Sequence, residues 1–195
     1  MMRMIGEIVC PGILLLGEVV MEPEKVVPYF GTPEKPECHM LYNVTTMATI
    51  WNTVATKDTR LLEKQLDSVY HLPGEYTFLN YLRCHDDIGW GLDYDSLGGW
   101  GSEYDRLGGW GMAQVAPKQF LNDFFTGKYK ASFSRGVLYN DDPVSRDARF
   151  CGTTASMCGI EEALEKQDEG KMDQAIRLDL MLHGFMLQQS GIPVI

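Results

Sequence analysis

Residues 78–90 read FLNYLRCHDDIGW, and the fold turns on how this stretch is taken. Phe78, Leu79, Tyr81 and Leu82 make a short aromatic and apolar run, with Pro73-Gly74 before it and Gly89 after it, which predicts a buried strand. His85, Asp86 and Asp87 then fall at the C-terminal end of that strand. In parallel α/β folds, and above all in (β/α)8 barrels, chemistry is done at that end.

Upstream, Met1, Met4, Ile5, Ile8 and Val9 give a helical stripe that starts without an N-cap and is broken by Pro11-Gly12. Ile13 to Leu16 is a continuous apolar run too short for a helix, the pattern of a parallel strand buried on both faces, and it ends at Glu18. Pro23 opens a short helix, a proline-rich loop follows, and His39 to Tyr42 reads as another brief strand. Asn43 is placed to cap a helix carrying Met47, Ile50, Trp51, Val54 and Ala55, with a second helical piece through Leu61, Leu62, Leu66, Val69 and Tyr70.

Downstream, residues 87–149 form a long excursion rich in Gly, Asp, Trp and Tyr, in which only 117–125 (PKQFLNDFF) reads as helix. An excursion of that length after a strand is more often functional than filler. It contains a tandem repeat, WGLDYDSLGG at 90–99 and WGSEYDRLGG at 100–109, with Trp110-Gly111 beginning a third copy. Its tryptophan and tyrosine faces suit stacking on sugar rings; a tolerated loop insertion explains it equally well. From Gly152 to Gln189 the pattern is helical again, and its methionine-rich spacing reads as core. Gly191 ends it, and Ile192 to Ile195 begins a further strand. The alternation of strands and helices predicts βαβ crossovers and a parallel sheet.

A chain of 195 residues with 45% apolar content suffices for one hydrophobic core. The formal charge of −10 argues against nucleic acid or an anionic membrane as the main partner, since phosphate binding needs a basic face. No run approaches the roughly 18 apolar residues of a membrane span. Cys10, Cys38, Cys84, Cys151 and Cys158 lack any C-x-x-C pair; they predict neither a disulfide framework nor a zinc site, but reduced thiols in a cytoplasmic protein.

Two strand ends carry acids, Glu18 and Asp86. Held in a partly desolvated mouth, one carboxyl would be kept protonated as a general acid while a better hydrogen-bonded neighbour stays ionised. Paired carboxylates flanking a glycosidic bond perform sugar transfer and hydrolysis. The His-Asp-Asp run equally suits a divalent metal if further acids converge on it. His39, His71 and His183 show no ligand spacing.

Three segments carry a resemblance: LLLGEVVMEPEKVVPYFG (14–31), NYLRCHDDIGW (80–90), and FSRGVLYNDDP (133–143) followed by DARFCGTTASMCG (147–159). In this order they closely resemble the amylosucrase-like branch of the α-amylase family of glycoside hydrolases and transglycosidases. The resemblance implies an α/β fold that is part of a (β/α)8 TIM barrel, about strands five to eight. Residues 1–86 would hold the fifth to seventh strands, 87–149 an inserted subdomain capping the pocket, and 150–195 the last helices and the start of the eighth strand. By motif match, Glu18 would be the acid/base and Asp86 the transition-state stabiliser. His85 would hydrogen-bond the sugar at the cleavage point, with Asp87 and Arg149 helping to hold the rings. Sucrose or an α-glucan oligosaccharide would be the substrate, with no cofactor and no metal. Cys84 departs from the small polar residue usual before the motif histidine.

The family's nucleophilic Asp, two residues after an Arg at the fourth strand, is not supplied by the first 17 residues. The chain is therefore expected to be a half-barrel with negligible turnover by itself and with sheet edges open to self-association. The alternative is a carbohydrate-binding or structural half-barrel that breaks no bond.

Overall fold

The computed structural model of the chain describes residues 2–21, 23–92, 115–142 and 148–195. Most of the tandem repeat, with Trp100 and Trp110, lies outside the described residues. In chain order the elements are α1 (Met2–Val9), β1 (Leu16–Gly17), α2 (Pro23–Val26) running into a 3-10 turn (Val27–Phe30), β2 (Met40–Tyr42), α3 (Val44–Thr56), α4 (Arg60–Tyr70) and β3 (Thr77–Asn80). There follow α5 (Val115–Phe125), the antiparallel pair β4 (Val137–Tyr139) and β5 (Arg149–Cys151), then α6 (Thr154–Cys158), α7 (Ile160–Lys166), α8 (Glu169–Leu187) and β6 (Ile192–Pro193).

Strands β1, β2, β3 and β6 form one sheet in that order, every pair parallel. The register sets Leu16 opposite Met40, Leu41 opposite Phe78, and Leu79 opposite Ile192. All four strand ends therefore point the same way, which is the parallel α/β arrangement the alternation predicts. The core between β3 and the helices is aromatic. Trp51 of α3 is fully buried, donates its indole N–H to the Leu82 carbonyl at 2.9 Å, and meets Phe125 edge-on.

Trp90, the first tryptophan of the repeat, belongs to this core rather than to a stacking surface. It is buried, lies on Phe125 with ring centroids 5.4 Å apart, and donates to Asn122 Oδ1 at 2.8 Å. Burial with the indole N–H paired is the usual state of a core tryptophan.

Asn43 stands just before α3 as expected, yet its side chain makes no capping bond. Its amide instead donates to Asn80 Oδ1 at 2.8 Å, and Asn80 Nδ2 donates to the Ser190 carbonyl at 2.9 Å. The Asn80 carbonyl also accepts from Val194 N–H, at 2.8 Å. One buried asparagine thus links the ends of β2, β3 and β6. Gly191 admits this contact: its φ is +123°, and a Cβ there would stand 2.3 Å from the Phe78 carbonyl oxygen and 2.9 Å from Asn80 Nδ2. It ends no helix, since α8 stops four residues earlier; its task is to let β6 approach β3.

Two apolar patterns sit differently from expectation. Leu14 and Leu16 are exposed; among the described residues β1 is an edge strand, paired only by β2. The expected methionine-rich core helix buries Leu182 and Met186 but exposes Ile176, Leu180, Met181 and Leu187. Helical periodicity marks both faces of such a helix as apolar and cannot say which one finds a partner.

Glu162 of α7 is a buried carboxylate held by three cations. Arg135 reaches it at 3.2 Å and Lys171 at 3.6 Å, and Lys166 hydrogen-bonds it. The Lys166 hydrogen bond, then the neighbouring positive charges, hold its carboxyl below the ordinary glutamate range against the opposing effect of burial.

Asn80→Ala leaves the buried Asn43 amide and the Ser190 carbonyl without their partner; a loss of about 2 kcal/mol in urea unfolding is expected. The stabilisation from Glu162 is complete above the ordinary glutamate pKa and is lost as the pH falls through the lowered one. The Tm difference between the wild type and Glu162→Gln should therefore shrink as the pH falls below the ordinary glutamate range and through the lowered one.

Candidate functional site

The site is built from the residues that follow β1 and β3. Gly17, the last residue of β1, has no room for a side chain: a Cβ would stand 2.5 Å from Leu41 Cδ2 and 2.9 Å from Cys38 Sγ. The strand packs close to β2 there, and the next residue, Glu18, is delivered at the end of the sheet. After β3 the chain runs on as Tyr81, Leu82, Arg83 and Cys84 before reaching His85 and Asp86. Arg83 anchors this run by donating from Nε to the Gly152 carbonyl at 2.6 Å; its buried Nη1 finds no acceptor among the described residues.

Glu18 and Asp86, which the sequence places 68 positions apart, converge on one imidazole. His85 Nε2 lies 3.9 Å from Glu18 Oε1 and 3.8 Å from Asp86 Oδ1. These separations are electrostatic contacts rather than hydrogen bonds. The carboxyls are less desolvated than the sequence implies, with side chains 42% and 53% exposed, and His85 is 65% exposed. Among the described residues β1 is the edge strand of the sheet, which accords with that exposure.

Asp87 and Arg149 form the second pair. The guanidinium Nη2 donates to both the Asp87 carbonyl and its Oδ1, each at 3.2 Å. A backbone bridge makes this contact possible. Ile88 N–H donates to the Phe150 carbonyl at 2.7 Å and Phe150 N–H returns a bond to Ile88 at 2.9 Å, so β5 lies alongside the turn after His85. The five residues singled out in the sequence thus fall into two contacting groups, Glu18 with His85 and Asp86, and Asp87 with Arg149.

Two tyrosines and a cysteine were not singled out for this site by residue pattern. Tyr42, at the end of β2, and Tyr81, just past β3, meet edge-on with centroids 5.4 Å apart. Burial first, and then the nearby negative groups, raise both phenols above the ordinary tyrosine range; Glu18 and Cys84 act on both, and Asp86 acts on Tyr42. They remain neutral hydroxyls under the carboxyl cluster. The available signal was positional, since both are strand-end residues like Glu18, yet aromatic strand residues are ordinarily packing. Cys84 brings its sulfur within 4.8 Å of the Glu18 and His85 ligand atoms.

The other histidines have structural partners. His39 Nδ1 accepts from Leu15 N–H at 3.0 Å while Nε2 contacts Glu7 at 3.0 Å; His71 and His183 reach carbonyls one turn back in their own helices. A cavity of about 180 Å³ lies to the side, between β2 and α4, with Tyr42, Val69, Leu72 and Phe78 among its walls. It is apolar and holds none of the five residues.

No protein-family profile matches the chain. A stretch of 78 residues is 35% identical to a trehalose synthase from Thermus thermophilus, covering 40% of this chain and 8% of that protein. A stretch of 87 residues is 28% identical to a glucosylglycerate phosphorylase from Spirochaeta thermophila, covering 45% of this chain and 14% of that one. The chain spans less than a sixth of the length of these curated relatives. The likeness is distant and partial, and it is to enzymes that by name act on sugars.

Arg149→Ala removes the charge-assisted clamp on Asp87 without opening the core. Faster amide exchange at residues 85–88, by about tenfold, is expected for one partly buried hydrogen-bonded pair; unchanged exchange would show that the Ile88–Phe150 bridge alone sets the loop.

Proposed function

We propose that this chain is the acid/base-bearing part of a retaining α-glucoside hydrolase or glucosyltransferase of the α-amylase kind, in the amylosucrase-like branch, acting on sucrose or an α-glucan. The observation that carries the reading is the convergence of Glu18 and Asp86, from two different strands, on His85 at the C-terminal ends of a parallel sheet. The motif resemblance and the two partial relatives point the same way.

In this reading Glu18 gives its proton to the leaving glycosidic oxygen and later takes one from the incoming hydroxyl. Asp86 stabilises the positive charge that develops at the anomeric carbon. His85 hydrogen-bonds the sugar ring between them. Arg149 and Asp87, already paired, present donors and acceptors to the ring hydroxyls, and the inserted segment 87–149 caps the pocket. The partly exposed Tyr42 offers an apolar face and a hydroxyl, with Tyr81 buried behind it in the core.

A retaining mechanism also needs a nucleophilic carboxylate about 5–5.5 Å from the acid/base. In the family that Asp follows the fourth strand, and residues 1–17 do not supply it. The four parallel strands β1, β2, β3 and β6 are then read as one half of a barrel, with the nucleophile coming from the other half. The exposed apolar side chains of α1 and of the segments at β1 and β6, among them Met2, Ile5, Ile8, Leu16, Ile192 and Val194, support that reading, and they make self-association through the sheet edges the expected behaviour of the half alone. The five thiols, all free, fit a reducing cytoplasm.

The second reading, a half-barrel that binds carbohydrate without cleaving it, is favoured by the exposure of both carboxyls, which gives Glu18 little of the desolvation a general acid uses.

A cationic iminosugar that mimics the charge of the transition state separates the two. The first reading expects calorimetric binding that weakens at least about tenfold in both Glu18→Gln and Asp86→Asn, because a charge-assisted hydrogen bond contributes about 1.5–3 kcal/mol. Maltooligosaccharide binding that survives Glu18→Gln but is lost when Trp100 and Trp110 become alanine supports the second. Glucose release from sucrose by residues 1–195 that is unaffected by Glu18→Gln would overturn the role given to Glu18.

A further inference from the structure

The sugar chemistry makes no use of Cys84, yet its sulfur is part of the tightest mixed-donor group among the described residues. Cys84 Sγ, a Glu18 carboxylate oxygen and a His85 ring nitrogen all lie within 4.8 Å of one another. We propose that Glu18, Cys84 and His85 bind a zinc ion at the mouth of the sheet.

The donor set selects the metal. Thiolate, imidazole and carboxylate are the three ligand types zinc takes, whereas calcium and magnesium need six or more oxygens. Zinc holds sulfur at about 2.3 Å and nitrogen or oxygen at about 2.0–2.2 Å, which sets ligand atoms about 3.5 Å apart. The observed donor atoms stand within 4.8 Å of one another, about 1.3 Å beyond that value at most, and the side chains of His85 and Glu18 are 65% and 42% exposed, so binding would draw them together. Glu18 comes from the end of β1 and His85 from the loop after β3, so the ion would cross-link two strand ends that are not neighbours in the sheet. On binding, the Cys84 thiol releases its proton to solvent as the sulfur–zinc bond forms. Asp86, 3.8 Å from His85 Nε2, stands within reach of the fourth position, which water otherwise fills.

One consequence rests on the function proposed above. Glu18 and His85 cannot hold zinc and a sugar together, so zinc would exclude the glycoside and act as a reversible inhibitor of the site.

The test is titration of the 195-residue chain, under reducing conditions, with cobalt(II) as a spectroscopic stand-in, followed by displacement with zinc against a chromophoric chelator. Expected are one ion per chain, a tetrahedral visible spectrum and an intense thiolate-to-cobalt absorption. Cys84→Ser should abolish that absorption, and both Cys84→Ser and His85→Ala should weaken zinc by more than about a hundredfold, beyond the loss typical of an outer-shell partner. Cys10→Ser, remote from the cluster, should change nothing. Far-UV circular dichroism and thermal unfolding establish that each variant is folded. Absence of zinc binding, or a thiolate absorption that persists in Cys84→Ser, overturns the proposal. Zinc bound as described but without effect on iminosugar binding leaves the metal site standing and counts against the sugar roles of Glu18 and His85.

Discussion

The carboxamide of Asn80 is the contact on which the arrangement of this chain depends. Nearly inaccessible to water, it accepts from Asn43 and donates to the Ser190 carbonyl, while its backbone receives the N–H of Val194. A buried amide is tolerated only when its donors and acceptors are matched, and an unmatched one costs about 1–3 kcal/mol. Matching it here requires β2, β3 and β6 to end at the same level. That common level is also what brings the segments beyond the strands into one neighbourhood. The residues of chemical interest begin immediately after Asn80, so the polar node and the site share a scaffold.

Around that scaffold the charges divide into two groups with different physics. Asp87 and Arg149 neutralise one another in direct contact and hold a loop against β5. Glu18, His85 and Asp86 approach without closing hydrogen bonds, which leaves their polar capacity for something from outside. A cluster with two carboxyls, a thiol and an imidazole in a chain of net charge −10 favours cationic character in whatever it meets: a positively charged transition state or a metal ion. The two uses compete for the same atoms.

The open flanks of β1 and β6 account for most of what looks unfinished. Apolar side chains on α1, β1 and α8 face water, and the two carboxyls are half exposed where a catalytic pair would be drier. An edge strand has unpaired backbone groups along one side, and nothing in a two- or three-residue strand can shield them. A second layer of chain beside these edges would change the local dielectric at Glu18 more than any change within the site.

The run of residues 78–90 announced both a strand and the acids at its end, and the structure has β3 at Thr77–Asn80 with His85, Asp86 and Asp87 following. The short strand before Asn43 and the helices on either side of 57–59 were likewise legible, whereas the apolar run at 13–16, read as a strand buried on both faces, gives only Leu16 to β1 and leaves Leu14 and Leu16 exposed. Hydrophobic period and strand-breaking residues are local properties, so the sequence by itself determined the element order, the parallel sheet and the five residues worth testing. What it could not supply were facts about distance and solvent. Asn43 looked like a helix cap and became the partner of Asn80, Trp90 opened a repeat that suited sugar stacking and a tolerated insertion equally and became core, and Cys84, a departure from the resembled motif, joined Glu18 and His85. Each depends on which distant segment arrives beside the residue and on how much water it displaces. Only the tertiary structure decides that, because pairing across more than thirty residues leaves no periodic trace in the chain.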